Sequence, residues 1–144
     1  MNIAMFGGSF NPVHNAHTDF AEKVINSVGL DKLYIVPTYS SPHKTGEGMA
    51  LPYDRLNMCE IAFKEIKNTI KKSYRTPDKI VQEFYIPLLS RAKSYDRAVG
   101  FFSSSVLILL SRGLINLVNN GGKMRLITSP RLQEQDIQAI ADGY

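Results

Sequence analysis

His14 and His17 stand three residues apart in the stretch GGSFNPVHNAH, residues 7–17. At that spacing two imidazoles lie roughly one helical turn apart on the same side, so both can face one ligand. Gly7 and Gly8 carry no Cβ and let a bulky anion approach the backbone. The start of a helix attracts anions through its free N–H groups and its dipole. Imidazoles and backbone donors together can stabilise charge that builds on a phosphate during group transfer. Two plainer readings use the same residues. One is a polar turn that holds nothing. The other is zinc on His14 and His17, for which the neighbouring sequence supplies no cysteine or third histidine at ligand spacing.

The elements around this turn decide where it sits. NIAMF (2–6) reads as a short buried strand ended by Gly7-Gly8. From Asn15 to Val28 the period is helical, with His17, Phe20, Ala21, Val24 and Val28 on one face and Gly29 at the helix end. KLYIVP (32–37) is a second strand. Strand, helix, strand at this length predicts a right-handed βαβ unit with parallel strands. The turn then lies at the carboxyl end of the first strand, where α/β sheets bind ligands.

Residues 38–52 read as a loop, followed by a helix opened by Pro52 and Asp54 with Leu56, Cys59, Ala62, Phe63 and Ile66 on its apolar stripe. Cys59 has no partner for an internal disulfide and is expected as a core thiol. Arg55 is expected on the helix surface. The polar stretch 67–77 is the linker candidate. Beyond it, Ile80, Val81, Phe84, Tyr85 and Leu88 mark a helix kinked at Pro87. RAVGFF (97–102) is predicted as a strand, 103–119 as a helix, KMRLIT (123–128) as a strand and 133–141 as a short helix. The fold class is therefore α/β, a Rossmann-like parallel βαβ unit followed by a second, unrelated βαβ unit.

Charge follows the same division. The net charge of +4 combines five Lys/Arg against seven Asp/Glu in residues 1–66 with twelve against six in residues 67–144. Four of the positive charges lie in KNTIKKSYR (67–75). A basic second half is either a nucleic-acid-facing surface or a solvated face. Apolar content of 44% and charged content of 21% exclude a disordered chain. VLILL (106–110) is far too short to span a bilayer, and no basic-then-apolar leader opens the sequence. A cytoplasmic location is expected.

GGSFNPVHNAH resembles the signature of the nucleotidyltransferase superfamily that carries an H-x-G-H motif, and among its members the bacterial nicotinate-nucleotide adenylyltransferases. GLDKLYIVPTYSSPHK and DRLNMCEIAF resemble that family's second strand, Pro-His-Lys loop and following helix, in the same order. The resemblance covers about residues 1–66. One position departs from it: the glycine between the histidines is Ala16 here, whose methyl is expected to weaken nucleotide binding. The resemblance implies transfer of an adenylyl group from ATP to nicotinate mononucleotide in NAD biosynthesis, with Mg²⁺ accompanying ATP. It implies that His14 and His17 contact the phosphates, that Gly7, Gly8, Ser9 and Phe10 line the nucleotide cleft, and that Lys44 reaches the same charge. No resident metal site is implied.

The family's later I-S-S-T-x-x-R motif is absent, since ITSPR (127–131) carries Pro130 within the spacing. Residues 85–132 instead resemble the first βαβ of a phospholipase D-like domain of bacterial helicase proteins, without its H-x-K-x-x-x-x-D motif. The expected organisation is two incomplete domains, 1–66 and 78–144, joined by a basic linker at 67–77. The function expected first is an impaired adenylyltransferase. The alternatives are a non-catalytic nucleic-acid-associated module or an inactive fusion product. Exposed sheet edges would favour a homo-oligomer.

Overall fold

The computed structural model describes residues 1–39, 48–99, 105–128 and 134–142. The chain divides into two units, Met1–Thr76 and Pro77–Tyr144.

In the first unit, β1 (Ile3–Gly8), α1 (Asn15–Val28) and β2 (Lys32–Pro37) form the expected βαβ unit with parallel strands. The first strand runs further than the sequence predicts. Gly7 pairs with Val36 and Gly8 with Pro37, so both glycines belong to the ladder and the turn begins at Ser9. A residue without a side chain costs a strand some order, and here the register with the apolar β2 outweighs that cost. The end of α1 follows its sequence cue. Gly29 takes φ 65°, and the Leu30 N–H returns to the Ile25 carbonyl at 3.0 Å.

The second helix, α2 (Pro52–Ala62), stops four residues before Ile66. Thr69 Oγ1 donates to the carbonyls of Ile66 and Phe63 at 2.8 and 3.2 Å and secures the turns that follow. Inside the stretch that reads as a linker, Thr69–Lys71 form β3, which extends the parallel sheet to the order β1-β2-β3 with Leu33 opposite Thr69. The core lies between this sheet and the two helices. Phe10, Ala21, Leu30, Leu33, Ile35, Cys59 and Phe63 fill it, with Phe6, Val24 and Ile25 packed against them. Cys59 is fully buried, as its place on the apolar stripe predicts. Phe20 and Val28 of the predicted α1 face are instead largely exposed. Ala21, Val24 and Ile25 define the face that packs.

In the second unit the predicted kinked helix resolves into α3 (Pro77–Ile80), one π-helical turn (Val81–Tyr85) and α4 (Ile86–Leu89). Pro87 offers no N–H and its ring would crowd the carbonyl four residues earlier, so the wider turn before it accommodates the break. Next come β4 (Ser94–Val99), α5 (Ser105–Asn119), β5 (Lys123–Thr128) and α6 (Glu134–Ala141). The strand expected at 97–102 begins three residues earlier, its register against β5 pairing Ser94 with Lys123 and Val99 with Thr128, and residues 100–102 of that expectation lie outside the described residues. Strands β4 and β5 are parallel, the expected second βαβ. Val81, Phe84, Leu89, Leu110 and Leu117 are buried, while Ile108, Ile115 and Val118 of α5 are exposed. Among the described residues no helix is long and apolar enough to cross a membrane.

Candidate functional site

The turn after β1 is built around a buried aromatic. Phe10 takes a positive φ of 47° and is 1% exposed, with its ring edge-on to Phe6 and Phe63 at centroid distances of 5.3 and 6.2 Å. An ideal Cβ on Gly8 would meet that ring at 3.3 Å, so Gly8 gives the ring its room. Phe10 is expected to line the nucleotide cleft, and its ring packs into the core. The ring is large and apolar, and the core claims it. Gly7 is exposed, and a Cβ there would meet nothing closer than the Val36 carbonyl at 3.9 Å.

His14 takes the extended backbone of an N-cap, and His17 sits in the first turn of α1. The His14 N–H donates to Nδ1 of His17 at 3.3 Å, and the His17 N–H donates to the His14 carbonyl at 2.9 Å. The two rings lie 3.8 Å apart between centroids, tilted by 38°. On its other side the His17 ring meets Phe10 at 4.9 Å and Phe6 at 5.9 Å. Burial, then the neighbouring His14, lowers the His17 pKa from its ordinary value. A neutral imidazole that accepts at Nδ1 carries its proton on Nε2, which leaves one donor for a ligand. Ala16 is exposed between the two histidines.

Arg55 corrects the sequence reading most. It was expected on the surface of α2, yet it is 1% exposed and is the one buried charged residue among those described. Its guanidinium donates from Nη1 to the Ser9 carbonyl at 2.8 Å, from Nη2 to the Tyr39 carbonyl at 3.0 Å and from Nε to the Ala50 carbonyl at 3.0 Å. Three carbonyl oxygens matching a planar fork of donors make that burial tolerable. Asn11 ties the same pieces together. Its Oδ1 accepts from the Ala50 N–H at 2.9 Å and its Nδ2 donates to the Gly48 carbonyl at 3.3 Å. The turn after β1 is thus fastened to both Tyr39 and the Gly48–Ala50 segment. Lys44, the remaining candidate, lies outside the described residues.

A groove of about 330 Å³ opens beside His14, between the start of α1 and the end of α2. Val13 and Ile66 line it, together with Thr18, Glu22 and Glu65. Two carboxylates make it a poor seat for a polyphosphate, so a phosphate reading belongs to the turn itself rather than to this groove. Among the described residues no group of three His, Cys, Asp or Glu could hold a metal ion.

The sequence profile described as cytidylyltransferase-like matches residues 5–112. The chain belongs to the cytidylyltransferase-like family. The matched part of this cytidylyltransferase-like chain takes in the whole turn, His14, His17 and Arg55, and continues through β4 into α5. It therefore includes part of the segment whose sequence resembles a phospholipase D-like domain. A probable nicotinate-nucleotide adenylyltransferase of Campylobacter fetus is 47% identical over 66 residues, which is 46% of this chain and 36% of that protein. One of Clostridium acetobutylicum is 45% identical over 62 residues, 43% of this chain and 31% of that protein. The chain thus matches about a third of the length of these curated relatives. The solved Plasmodium falciparum nicotinic acid mononucleotide adenylyltransferase complexed with NaAD overlays with a TM-score of 0.48 at 16% identity, over 92% of this chain and 77% of its own.

Proposed function

We propose that the turn between β1 and α1 handles the phosphates of ATP, and that the chain carries the adenylyl-transfer half of a nicotinate-nucleotide adenylyltransferase site. The observation that carries this reading is the His14–His17 pair, with rings 3.8 Å apart at the start of a helix that leaves the carboxyl end of a parallel strand. The relatives' names supply the acceptor, a nicotinate nucleotide, and the transferred group, adenylyl; ATP is this reading's donor.

In this reaction a phosphate oxygen of nicotinate mononucleotide attacks the α-phosphorus of ATP. The bond from that phosphorus to the oxygen bridging to the β-phosphate breaks, and pyrophosphate leaves with the electron pair. Charge grows on the bridging and terminal oxygens. Nε2–H of His17 and the ring of His14 stabilise it, assisted by the positive end of the α1 dipole. Gly7, exposed and without a Cβ, gives the nucleotide close access to the backbone beside Gly8 and Ser9, and Lys44 is the further cation this reading calls for. Mg²⁺ brought with ATP would supply neutralisation of the phosphate charge. No protein nucleophile is needed, so positioning and charge stabilisation are the whole of the catalysis.

The test is pyrophosphate release from ATP and nicotinate mononucleotide by this chain and by its His17→Ala variant. Loss of one such donor is expected to lower the rate by about 100-fold or more. Release by the wild-type chain that does not exceed the variant overturns the reading.

A further inference from the structure

A single buried guanidinium joins three backbone segments that are far apart in sequence. Arg55 reaches the carbonyls of Ser9, Tyr39 and Ala50, which stand 46, 16 and 5 residues from it. No carboxylate among the described residues pairs with it, and among those residues three carbonyl dipoles meet its charge. Ser9 precedes Phe10, whose ring touches His17 at a centroid distance of 4.9 Å. Asn11, one residue further along, grips Gly48 and Ala50. The ends of the β1 and β2 strands and the approach to α2 are therefore fixed against one another by two side chains, and the histidine pair follows directly from the turn so fixed.

We propose that Arg55 is a positioning residue for adenylyl transfer: by drawing the Ser9, Tyr39 and Ala50 carbonyls onto one fork, it sets the turn that places His14 and His17 on the phosphates. The proposal rests on the reading of the turn as an ATP site. A lysine cannot replace the fork, because its ammonium is a compact charge that cannot present three donors in one plane to three separate carbonyls. The specificity lies in geometry as well as in charge.

The test compares wild type, Arg55→Lys, Arg55→Met and His17→Ala, each normalised to its folded fraction by urea denaturation. Pyrophosphate release is followed as ATP is varied, and the ring nitrogen NMR shifts of His17 report whether Nδ1 still accepts the His14 N–H. Misplacement of a catalytic group by about an ångström can cost about 100-fold in rate. Folded Arg55→Met should lose about that much in kcat, with a smaller change in KM for ATP. Arg55→Lys, which keeps the charge without the fork, should also lose kcat, by less than Arg55→Met. Both should shift the His17 signature away from a pure Nδ1 acceptor. Retention of kcat and of that signature in the folded variants overturns the proposal. Should Arg55→Met fail to fold, Arg55→Lys decides by the same two readings. Wild-type release no greater than that of His17→Ala defeats the ATP reading instead. In that case the His17 signature in Arg55→Lys still decides whether Arg55 positions the turn.

Discussion

The backbone N–H of His14 points at Nδ1 of His17, 3.3 Å away, while the two rings lie 3.8 Å apart. This bond requires an unprotonated Nδ1, and the lowered pKa of His17, caused first by burial and then by His14, agrees with it. In the unfolded chain His17 takes up its proton at higher pH than in the folded one. Stability of the first unit is then full above about pH 6.5 and declines as pH falls through the depressed folded value, because the unfolded state binds the extra proton. Urea midpoints measured between about pH 7.5 and about pH 5 should fall for the wild-type chain and fall less for His17→Gln. An identical decline in the variant would assign the effect to another group.

Cys59 is fully buried on the inner face of α2, and burial pushes its thiol up to about 12. The thiolate is the reactive form, so both access and ionisation protect it. Iodoacetamide at about pH 8 should modify it only as fast as the first unit opens, with the rate rising steeply in mild urea. Modification in native buffer at the rate of a free cysteine would show that the α2 face is not closed.

Asp96 and Arg125 are direct register partners across β4 and β5 and form a two-pronged pair, Nε to Oδ1 at 2.7 Å and Nη2 to Oδ2 at 2.6 Å. The Arg125 hydrogen bond holds the Asp96 carboxyl below its usual range. Both side chains are largely exposed, so water and salt screen the pair. Asp96→Asn should leave the thermal midpoint of the second unit unchanged at low and at high salt. A marked salt-dependent drop would mean that the pair holds the two strands together.

These cases show where the sequence was informative. Strand β2 is bounded by Asp31 and Pro37, and its limits follow from an apolar run that ends at a proline. The parallel βαβ arrangement follows from element order and spacing, because those features are local. Strand β3 was not legible: three residues in a basic stretch have no usable period, and their reason for extending is the edge of β2, far away in sequence. Arg55 was hidden for a related reason. Polar side chains on a helix usually face water, and nothing near residue 55 announces that carbonyls from Ser9 and Tyr39 converge on it. His14 and His17 stood out because a tight turn and a helix start lie within one short stretch. The burial of the Phe10 ring was not legible, since its positive φ cannot be read from its residue type.

At Gly113, α5 lies close against α4. A Cβ at that position would stand 2.9 Å from Leu89 Cδ1, 3.1 Å from Leu89 Cβ and 3.4 Å from the Ile86 Cα. Two opposed effects follow from Gly113→Ala. Alanine favours the helix by about 1 kcal/mol over glycine. Overpacking a filled contact costs about 1–3 kcal/mol. Leu89 is 3% exposed and anchored in α4, so its Cβ cannot swing aside as a free side-chain end could. The packing cost therefore prevails, with a net loss of about 1 kcal/mol expected in urea denaturation of the second unit. Leu89→Ala alone should cost about 2–5 kcal/mol by leaving a cavity. Combined with Gly113→Ala it should cost less than the sum, because the new methyl then enters the space that Leu89 vacates. Strict additivity, or a stabilised Gly113→Ala chain, would show that the helices move apart freely and that glycine is not what sets their approach.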